Sequence, residues 1–227
     1  MKFYSTNHKS SVVDFKTALL RGLAENGGLY MPTLLAKIQN SRLRRGFGGQ
    51  AKSEIQNFGR ILKEFINIPE KSLGKIFKLS FKFSVPLVKL DKNLYILELF
   101  HGPTLSFKDF GARCMARAMS YYTNEKRKTK NEKLNIIVAT SGDTGSAAEA
   151  AFKGLATVTL FMLSPEMGMS AFQKAQMGML SGSSIFNVSV RGRFDDCQDL
   201  VKELKGEEEF SKLGAVNSIN WGRISSQ

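Results

Sequence analysis

Short apolar runs alternate with helical segments from residue 85 onwards, and this alternation limits the fold more than any other feature. The apolar runs have the length of strands, whereas the segments between them carry apolar side chains at helical spacing. The expected strands are residues 94–100, 134–140, 157–163 and 185–190, and the expected helices are residues 111–122, 146–152, 170–180 and 195–204. Strands joined through helices favour right-handed crossovers. The sequence therefore predicts an α/β fold with a doubly wound, mainly parallel sheet.

The first part of the chain lacks this alternation. Apolar side chains recur at helical spacing in residues 12–23, and again in residues 55–65. These helical patterns precede the first clear strand pattern. We therefore expect a small, mostly helical amino-terminal subdomain at residues 1–84, followed by an α/β domain at residues 85–227.

The chain is strongly basic, with 33 lysines and arginines, 20 aspartates and glutamates, and a formal net charge of +13. Its basic residues are dispersed apart from short clusters at residues 42–45 and 126–130, and no nucleic-acid-binding motif lies beside them. A solvated basic surface is therefore the better interpretation. A basic nucleic-acid-binding module is the weaker alternative.

Metal ligands and long apolar runs are scarce in this sequence. It has two histidines, and its two cysteines, Cys114 and Cys197, lie far apart without the spacing of a zinc site. The longest apolar runs are far shorter than a bilayer span, and the first residues have no apolar signal-peptide core. These features predict a cytoplasmic protein with reduced thiols, no metal site and no membrane partner.

The first candidate site is the segment His-Gly-Pro-Thr-Leu-Ser-Phe-Lys-Asp-Phe-Gly at residues 101–111. Ser106 and Asp109 have the spacing of a capping box, so a helix should begin near Phe107, with Lys108 in its first turn. The helix dipole does not stabilise a cation there, and flanking phenylalanines disfavour the charged form. Lys108 is either a solvent-exposed or paired lysine, or an amine that forms a Schiff base with an aldehyde cofactor.

The second candidate site is the segment Ala-Thr-Ser-Gly-Asp-Thr-Gly-Ser at residues 139–146, between a buried strand and a helix. Gly142 and Gly145 let the backbone approach a ligand. The amides at the helix start, with the hydroxyls of Ser141 and Thr144, are donors for a carboxylate or a phosphate. Asp143 must turn away from such an anion or hydrogen-bond a cofactor hydroxyl. A helix-capping turn without a ligand is the alternative.

A third polar segment lies at residues 217–223. It groups amide, hydroxyl and guanidinium side chains, which suit a phosphate or a carboxylate: Asn217, Ser218, Asn220 and Arg223. Taken alone, the segment is better explained as a structural polar turn.

Together, the three segments resemble threonine synthase in their order and spacing. The stretch HGPT-x-x-FKDFGAR at residues 101–113 is the most specific part, and residues 22–32 look like the opening of that family. The resemblance runs over essentially the whole chain. Threonine synthases belong to the tryptophan-synthase-β-like, fold-type II class of pyridoxal-phosphate enzymes. They convert O-phospho-L-homoserine and water to L-threonine and phosphate, in threonine biosynthesis.

The resemblance implies the cofactor pyridoxal 5'-phosphate and a role for each motif. Lys108 would bind the cofactor as a Schiff base and then move protons between substrate carbons. The turn at residues 141–145 would hold the substrate carboxylate and lie against the 3-hydroxyl of the cofactor. The cofactor contacts there would be Ser141 and Asp143, and the carboxylate contacts would be Ser141, Gly142, Thr144 and Gly145. The substrate phosphate would be held by Asn217, Ser218 and Arg223.

The sequence departs from the family pattern in its length. Family members are about double this length. Their cofactor-phosphate loop and the residue that contacts the pyridine nitrogen follow the third segment, and this sequence contains neither of them. We therefore expect a fragmentary chain whose sheet has an exposed apolar edge, through which it self-associates. A threonine-synthase-like phospho-lyase and a non-catalytic fragment are the alternatives to threonine synthase activity.

Overall fold

The computed structural model describes residues 1–33, 66–126, 133–210, 213–216 and 220–224. The strands in this part are β1 (Lys2–Ser5), β2 (Val13–Asp14), β3 (Tyr30–Pro32), β4 (Leu87–Asp91), β5 (Leu94–Leu97), β6 (Leu134–Ala139), β7 (Val158–Pro165), β8 (Ile185–Val190) and β9 (Gly214–Ala215). The helices are α1 (Phe15–Arg21), α2 (Glu70–Ser80), α3 (Lys108–Lys126), α4 (Asp143–Phe152), α5 (Ala171–Leu180), α6 (Phe194–Gly206) and α7 (Trp221–Ile224), with a 3-10 helix at Glu208–Phe210.

A four-stranded parallel sheet forms the centre of the α/β part. Its strand order is β8-β7-β6-β9, and β6 pairs in parallel with both of its neighbours. Adjacent residues of β6 point to opposite faces: Val138 packs in the cluster that contains Met115 of α3, and Ile137 packs with Val201 of α6. Helices therefore cover both faces of the sheet, which confirms the predicted doubly wound, parallel α/β fold.

The strand expected at residues 94–100 is not part of this sheet. It ends earlier, at Leu97, and β5 pairs antiparallel with β4 in a separate two-stranded hairpin. Only the two residues Lys92 and Asn93 separate these strands. So short a connection joins antiparallel neighbours, whereas a parallel pair needs a crossover of a dozen residues or more.

The amino-terminal residues contain a sheet as well as helices. Strands β2, β1 and β3 form a three-stranded antiparallel sheet, so the expectation that helices precede the first strand is wrong. Helix α1 begins after Asp14, whose carboxylate accepts from the amide of Thr17 at 2.8 Å, and ends at Gly22. Gly22 has a positive φ of 70°, which glycine adopts more readily than other residues. The helix expected at residues 55–65 lies outside the described residues.

One hydrophobic core joins the amino-terminal sheet to the α/β part. Phe3 and Leu19 are buried in the same cluster as Met119 of α3 and Leu160 of β7. The ring centre of Phe3 also lies 6.2 Å from that of Trp221. The amino-terminal elements therefore pack directly on the elements that form the candidate site, and the division near residue 84 stays a prediction.

Large apolar side chains are exposed on the β4–β5 hairpin and on the edge strand β8. Leu87, Leu94 and Leu97 are each more than half exposed, and Phe186 of β8 is 46% exposed. Phe186 lies on an edge strand of the parallel sheet, where the apolar edge is expected, whereas the β4–β5 hairpin is a separate apolar surface. Among the described helices, none combines the length and the apolar character that a membrane crossing requires.

Candidate active site

Two loops meet beside the carboxyl end of strand β6. One loop precedes α3 and contains residues 101–107, and the other joins β6 to α4 through residues 140–142. The ion pair between Lys108 of α3 and Asp143 of α4 connects them, with 3.6 Å between Nζ and Oδ2. In open parallel sheets, ligands bind outside the carboxyl ends of the strands. The structure therefore brings the first two candidate segments together where a ligand is expected.

Lys108 is the first residue of α3, in agreement with the capping pattern. Its amide donates to Ser106 Oγ at 3.3 Å. Its amine lies 4.7 Å from the centre of the Phe107 ring, and its side chain is 23% exposed. Lys108 is thus paired with an acid and packed against an aromatic ring, yet a small ligand from solvent can reach its amine.

Asp109 fixes the loop that precedes Lys108. Its side chain is fully buried, and its Oδ2 accepts from the amide of Thr104 at 2.9 Å. Burial raises the pKa of Asp109, although the hydrogen bonds from Thr104 oppose this effect. A Cβ on Gly102 would collide with the Asp109 carboxylate, so only glycine fits there. This contact sets the position of the loop relative to α3.

The loop before α4 is organised by the hydroxyl of Thr140. This buried oxygen accepts from the amide of Gly142 at 3.1 Å and from that of Gly145 at 2.8 Å. The amides of Asp143 and Thr144 begin the helix, where no intrahelical acceptor is available to them. They are therefore the donors that this helix start offers to an anion.

Helix α5 contacts both loops through glutamines that the sequence analysis did not identify. Gln173 Nε2 donates to Asp143 Oδ1 at 3.0 Å, and Gln176 Nε2 donates to the carbonyl of Thr104 at 3.2 Å. The spacing of Ser170 and Gln173 predicts the capping box that begins α5. Nothing in that spacing predicts which loop each glutamine contacts.

The other expected site residues lie in the loop before α4, in its first turn, or in the third segment. Ser141 of the loop is exposed, and Thr144 in the first turn of α4 is half-buried. Asn217 and Ser218 lie outside the described residues. Arg223 is almost completely buried in α7, and burial lowers its pKa to about 10. Its expected contact with a substrate phosphate stays a prediction.

Asn220 has a structural function in the third segment. Its side-chain amide donates to the carbonyl of Leu19 at 3.2 Å, and its side-chain oxygen accepts from the amide of Gly222 at 2.8 Å. Asn220 therefore caps α7 and attaches it to α1. This arrangement agrees with the interpretation of the segment as a structural turn.

The described residues fit an aldehyde cofactor that carries a hydroxyl next to the aldehyde. Lys108 supplies a partly exposed amine, and the Asp143 carboxylate lies beside it. A Cβ on Gly142 would collide with the Gln173 side chain, so the backbone at Gly142 packs closely against helix α5. Within the described residues, no group of three or more His, Cys, Asp or Glu side chains is arranged to hold a metal ion. The available chemistry is that of an amine, a carboxylate and backbone donors.

Comparisons with known proteins identify relatives of the whole chain. The family model described as threonine synthase N terminus matches residues 2–81, and the model described as pyridoxal-phosphate dependent enzyme matches residues 82–221. Threonine synthase from Methylobacillus glycogenes is 39% identical over 244 residues, which cover 100% of this chain and 50% of that protein. The chain spans about half the length of the curated relatives it matches.

Solved structures of threonine synthases share this arrangement of elements. The Escherichia coli enzyme matches with a TM-score of 0.79 and 33% identity, covering 100% of this chain and 52% of that one. The pyridoxal-phosphate-bound enzyme from Brucella melitensis matches with a TM-score of 0.71 and 34% identity, covering 99% of this chain and 49% of that one.

Proposed function

Because the chain belongs to the family of pyridoxal-phosphate-dependent enzymes and carries the threonine synthase N terminus, we propose that it contributes the cofactor lysine and the substrate-carboxylate loop of a threonine synthase. The reaction converts O-phospho-L-homoserine and water to L-threonine and phosphate. The observation that carries this proposal is the pairing of Lys108 with Asp143, 3.6 Å apart, at the carboxyl end of the parallel sheet.

Lys108 is the residue that would bind the cofactor and move protons. When bound, pyridoxal phosphate supplies an electron sink for charge that develops on the substrate. The amine of Lys108 is held at the start of α3 by the fixed loop that Asp109 and Thr104 form. From this position the amine accepts a proton from one substrate carbon and returns it to another. Asp143 pairs with this amine across 3.6 Å and so helps to fix its position.

The loop at residues 141–145 is proposed to bind the substrate carboxylate. The amides of Asp143 and Thr144 at the start of α4, with the hydroxyl of Ser141, are the available donors. The Asp143 carboxylate is directed to Lys108 and Gln173, which offsets its repulsion of an anion at the same helix start. This geometry supports the proposed binding of a carboxylate by a loop that contains an aspartate.

The substrate phosphate is proposed to be held by Asn217, Ser218 and Arg223. The guanidinium of Arg223 has the planar donor geometry that matches a phosphate, which supports this role. We further propose that the protein acts in the cytoplasm and that the apolar β4–β5 hairpin supports self-association.

The proposed cofactor site is tested by absorbance. The chain is incubated with pyridoxal phosphate, desalted and scanned in the visible range, beside Lys108→Ala and the control Lys75→Ala, which changes an exposed lysine of α2. A band that is retained in the parent and in Lys75→Ala, but lost in Lys108→Ala, supports the assignment. A band of equal strength in all three proteins would overturn it.

Product analysis separates the two candidate reactions. O-phospho-L-homoserine is added to the chain loaded with pyridoxal phosphate, and L-threonine and phosphate are both measured. Equal amounts of threonine and phosphate support threonine synthase activity. Release of phosphate without threonine would support the phospho-lyase alternative instead.

A further inference from the structure

Helix α5 contacts both loops of the candidate site, although none of its residues belongs to them. Gln173 and Gln176 lie one helical turn apart, on the same face of the helix. Gln173 donates to Asp143 at the start of α4 and packs against Gly142 of the preceding loop, and Gln176 donates to the Thr104 carbonyl in the loop before α3. A single rigid element thus fixes the separation of the two loops.

The hydrogen bond from Gln173 selects one orientation of the Asp143 carboxylate. Oδ1 accepts from Gln173 at 3.0 Å, and Oδ2 lies 3.6 Å from the Lys108 amine. Half of the Asp143 side chain is exposed, so solvent competes for both oxygens. Without a donor on Oδ1, the carboxylate is free to rotate towards water and away from Lys108.

Gln173 is itself held in place at two points. Its Oε1 accepts from the amide of Ser170 at 3.2 Å and from the Ser170 hydroxyl at 3.1 Å. Its side chain also packs against Gly142, where a Cβ would collide with it. The carboxamide therefore reaches Asp143 already oriented, with little freedom left to lose.

We propose that Gln173 is a positioning residue for the proposed active site, acting through Asp143 to set the environment of the Lys108 amine. The effect of Gln173 on catalysis rests on the proposed function. Its effect on Asp143 and on the Lys108 amine can be measured in the chain without a cofactor.

The test measures the reactivity of the Lys108 amine in the full chain. Trace reductive methylation with formaldehyde and a borane is followed by peptide mass spectrometry, with exposed Lys75 as the internal reference. The Asp143 carboxylate holds the Lys108 amine in an ion pair, and an amine released from that pair is more accessible to the reagent. Gln173→Ala should therefore speed methylation of Lys108 by roughly 1.5- to 5-fold, the range expected for a partly exposed ion pair.

A double-mutant cycle separates positioning from general disorder of the loop. Asp143→Asn should speed methylation of Lys108, and adding Gln173→Ala to it should change nothing further. If Gln173→Ala speeds methylation equally in both backgrounds, its effect does not pass through Asp143 and the proposal is wrong. No acceleration by Gln173→Ala in the parent background would also overturn it.

Phe172→Ala is the matched control for the helix. It changes an exposed residue next to Gln173 in α5 and leaves the hydrogen bonds of Gln173 with Ser170 and Asp143 in place. Methylation of Lys108 at the parent rate in this variant supports positioning by the carboxamide. An acceleration equal to that of Gln173→Ala would assign the effect to a general disturbance of α5 and overturn the proposal. Because no pyridoxal phosphate is present, failure here is distinct from failure of the proposed function.

Discussion

The hydroxyl of Thr140 accepts a hydrogen bond from the amide of Gly145 at 2.8 Å and so closes the loop before α4. Thr140→Val keeps the shape of the side chain but removes this acceptor from the amide of Gly142, and it leaves the amide of Gly145 only the carbonyl of Gly142. We expect a loss of about 1–3 kcal/mol in the free energy of unfolding, measured by urea denaturation. Thr140→Ser should retain most of the stability. Equal stability of the two variants would contradict this account of the loop.

Glu149 of α4 makes the free energy of unfolding depend on pH. Burial raises its pKa to about 7 from 4.5, and Asn187 and Lys153 offset only part of this effect. The folded state therefore binds a proton more tightly than the unfolded state, so stability declines as pH rises from 4.5 towards 7. Glu149→Gln should be more stable than the parent by about 1–3 kcal/mol near pH 8, with a small difference near pH 5.

This prediction is checked by denaturant unfolding of both proteins at the two pH values. Glu166→Gln, which changes an exposed glutamate, is the matched control and should follow the parent. An identical pH dependence in the parent and in Glu149→Gln would show that Glu149 does not cause it.

Gly102 is required by its contact with Asp109. A methyl group at this position would collide with the buried carboxylate, so Gly102→Ala should destabilise the chain by about 1–3 kcal/mol and weaken the cofactor absorbance band. Gly74→Ala is the matched control because Gly74 lies in helix α2 with open space around it. It should instead stabilise the chain by up to about 1 kcal/mol. Thermal unfolding of both variants distinguishes a local collision from a general effect of glycine replacement.

The exposed hairpin should control self-association. Leu94→Lys places a charge in the middle of the apolar surface and should reduce concentration-dependent association in sedimentation velocity experiments. Val12→Lys changes a similarly exposed apolar residue away from the hairpin, and it should associate as the parent does. If both variants associate like the parent, the hairpin is not the contact surface.

Three strands of the parallel sheet, β6, β7 and β8, could be predicted from the sequence because each is a local pattern, whereas the two-residue strand β9 has no such pattern. The strand pattern at residues 185–190 forms β8. The capping spacing predicts Lys108 in the first turn of a helix, and Lys108 is the first residue of α3. Helix α4 begins at Asp143, earlier than the apolar spacing indicates, because its first turn consists of small polar residues. Periodicity locates a buried helix face but carries little information on the helix start.

The parts that could not be predicted depend on contacts between distant residues. Strands β1, β2 and β3 are short, and residues 13–14 fall inside a helical pattern, so their pairing is decided by the sheet as a whole. The hydrogen bond from Gln173 to Asp143 likewise joins two helices that crossovers bring together. Helical spacing places Gln173 on a face of α5, but only the packed fold determines what that face contacts.

The contact between Phe3 and Trp221 affects how the chain folds during its synthesis. The two rings lie 6.2 Å apart, so strand β1 reaches its final packing only after Trp221 has emerged from the ribosome. Pairing residues so far apart in sequence closes a long loop, which slows folding. The nascent amino-terminal sheet therefore remains accessible to chaperones and proteases until translation has passed Trp221.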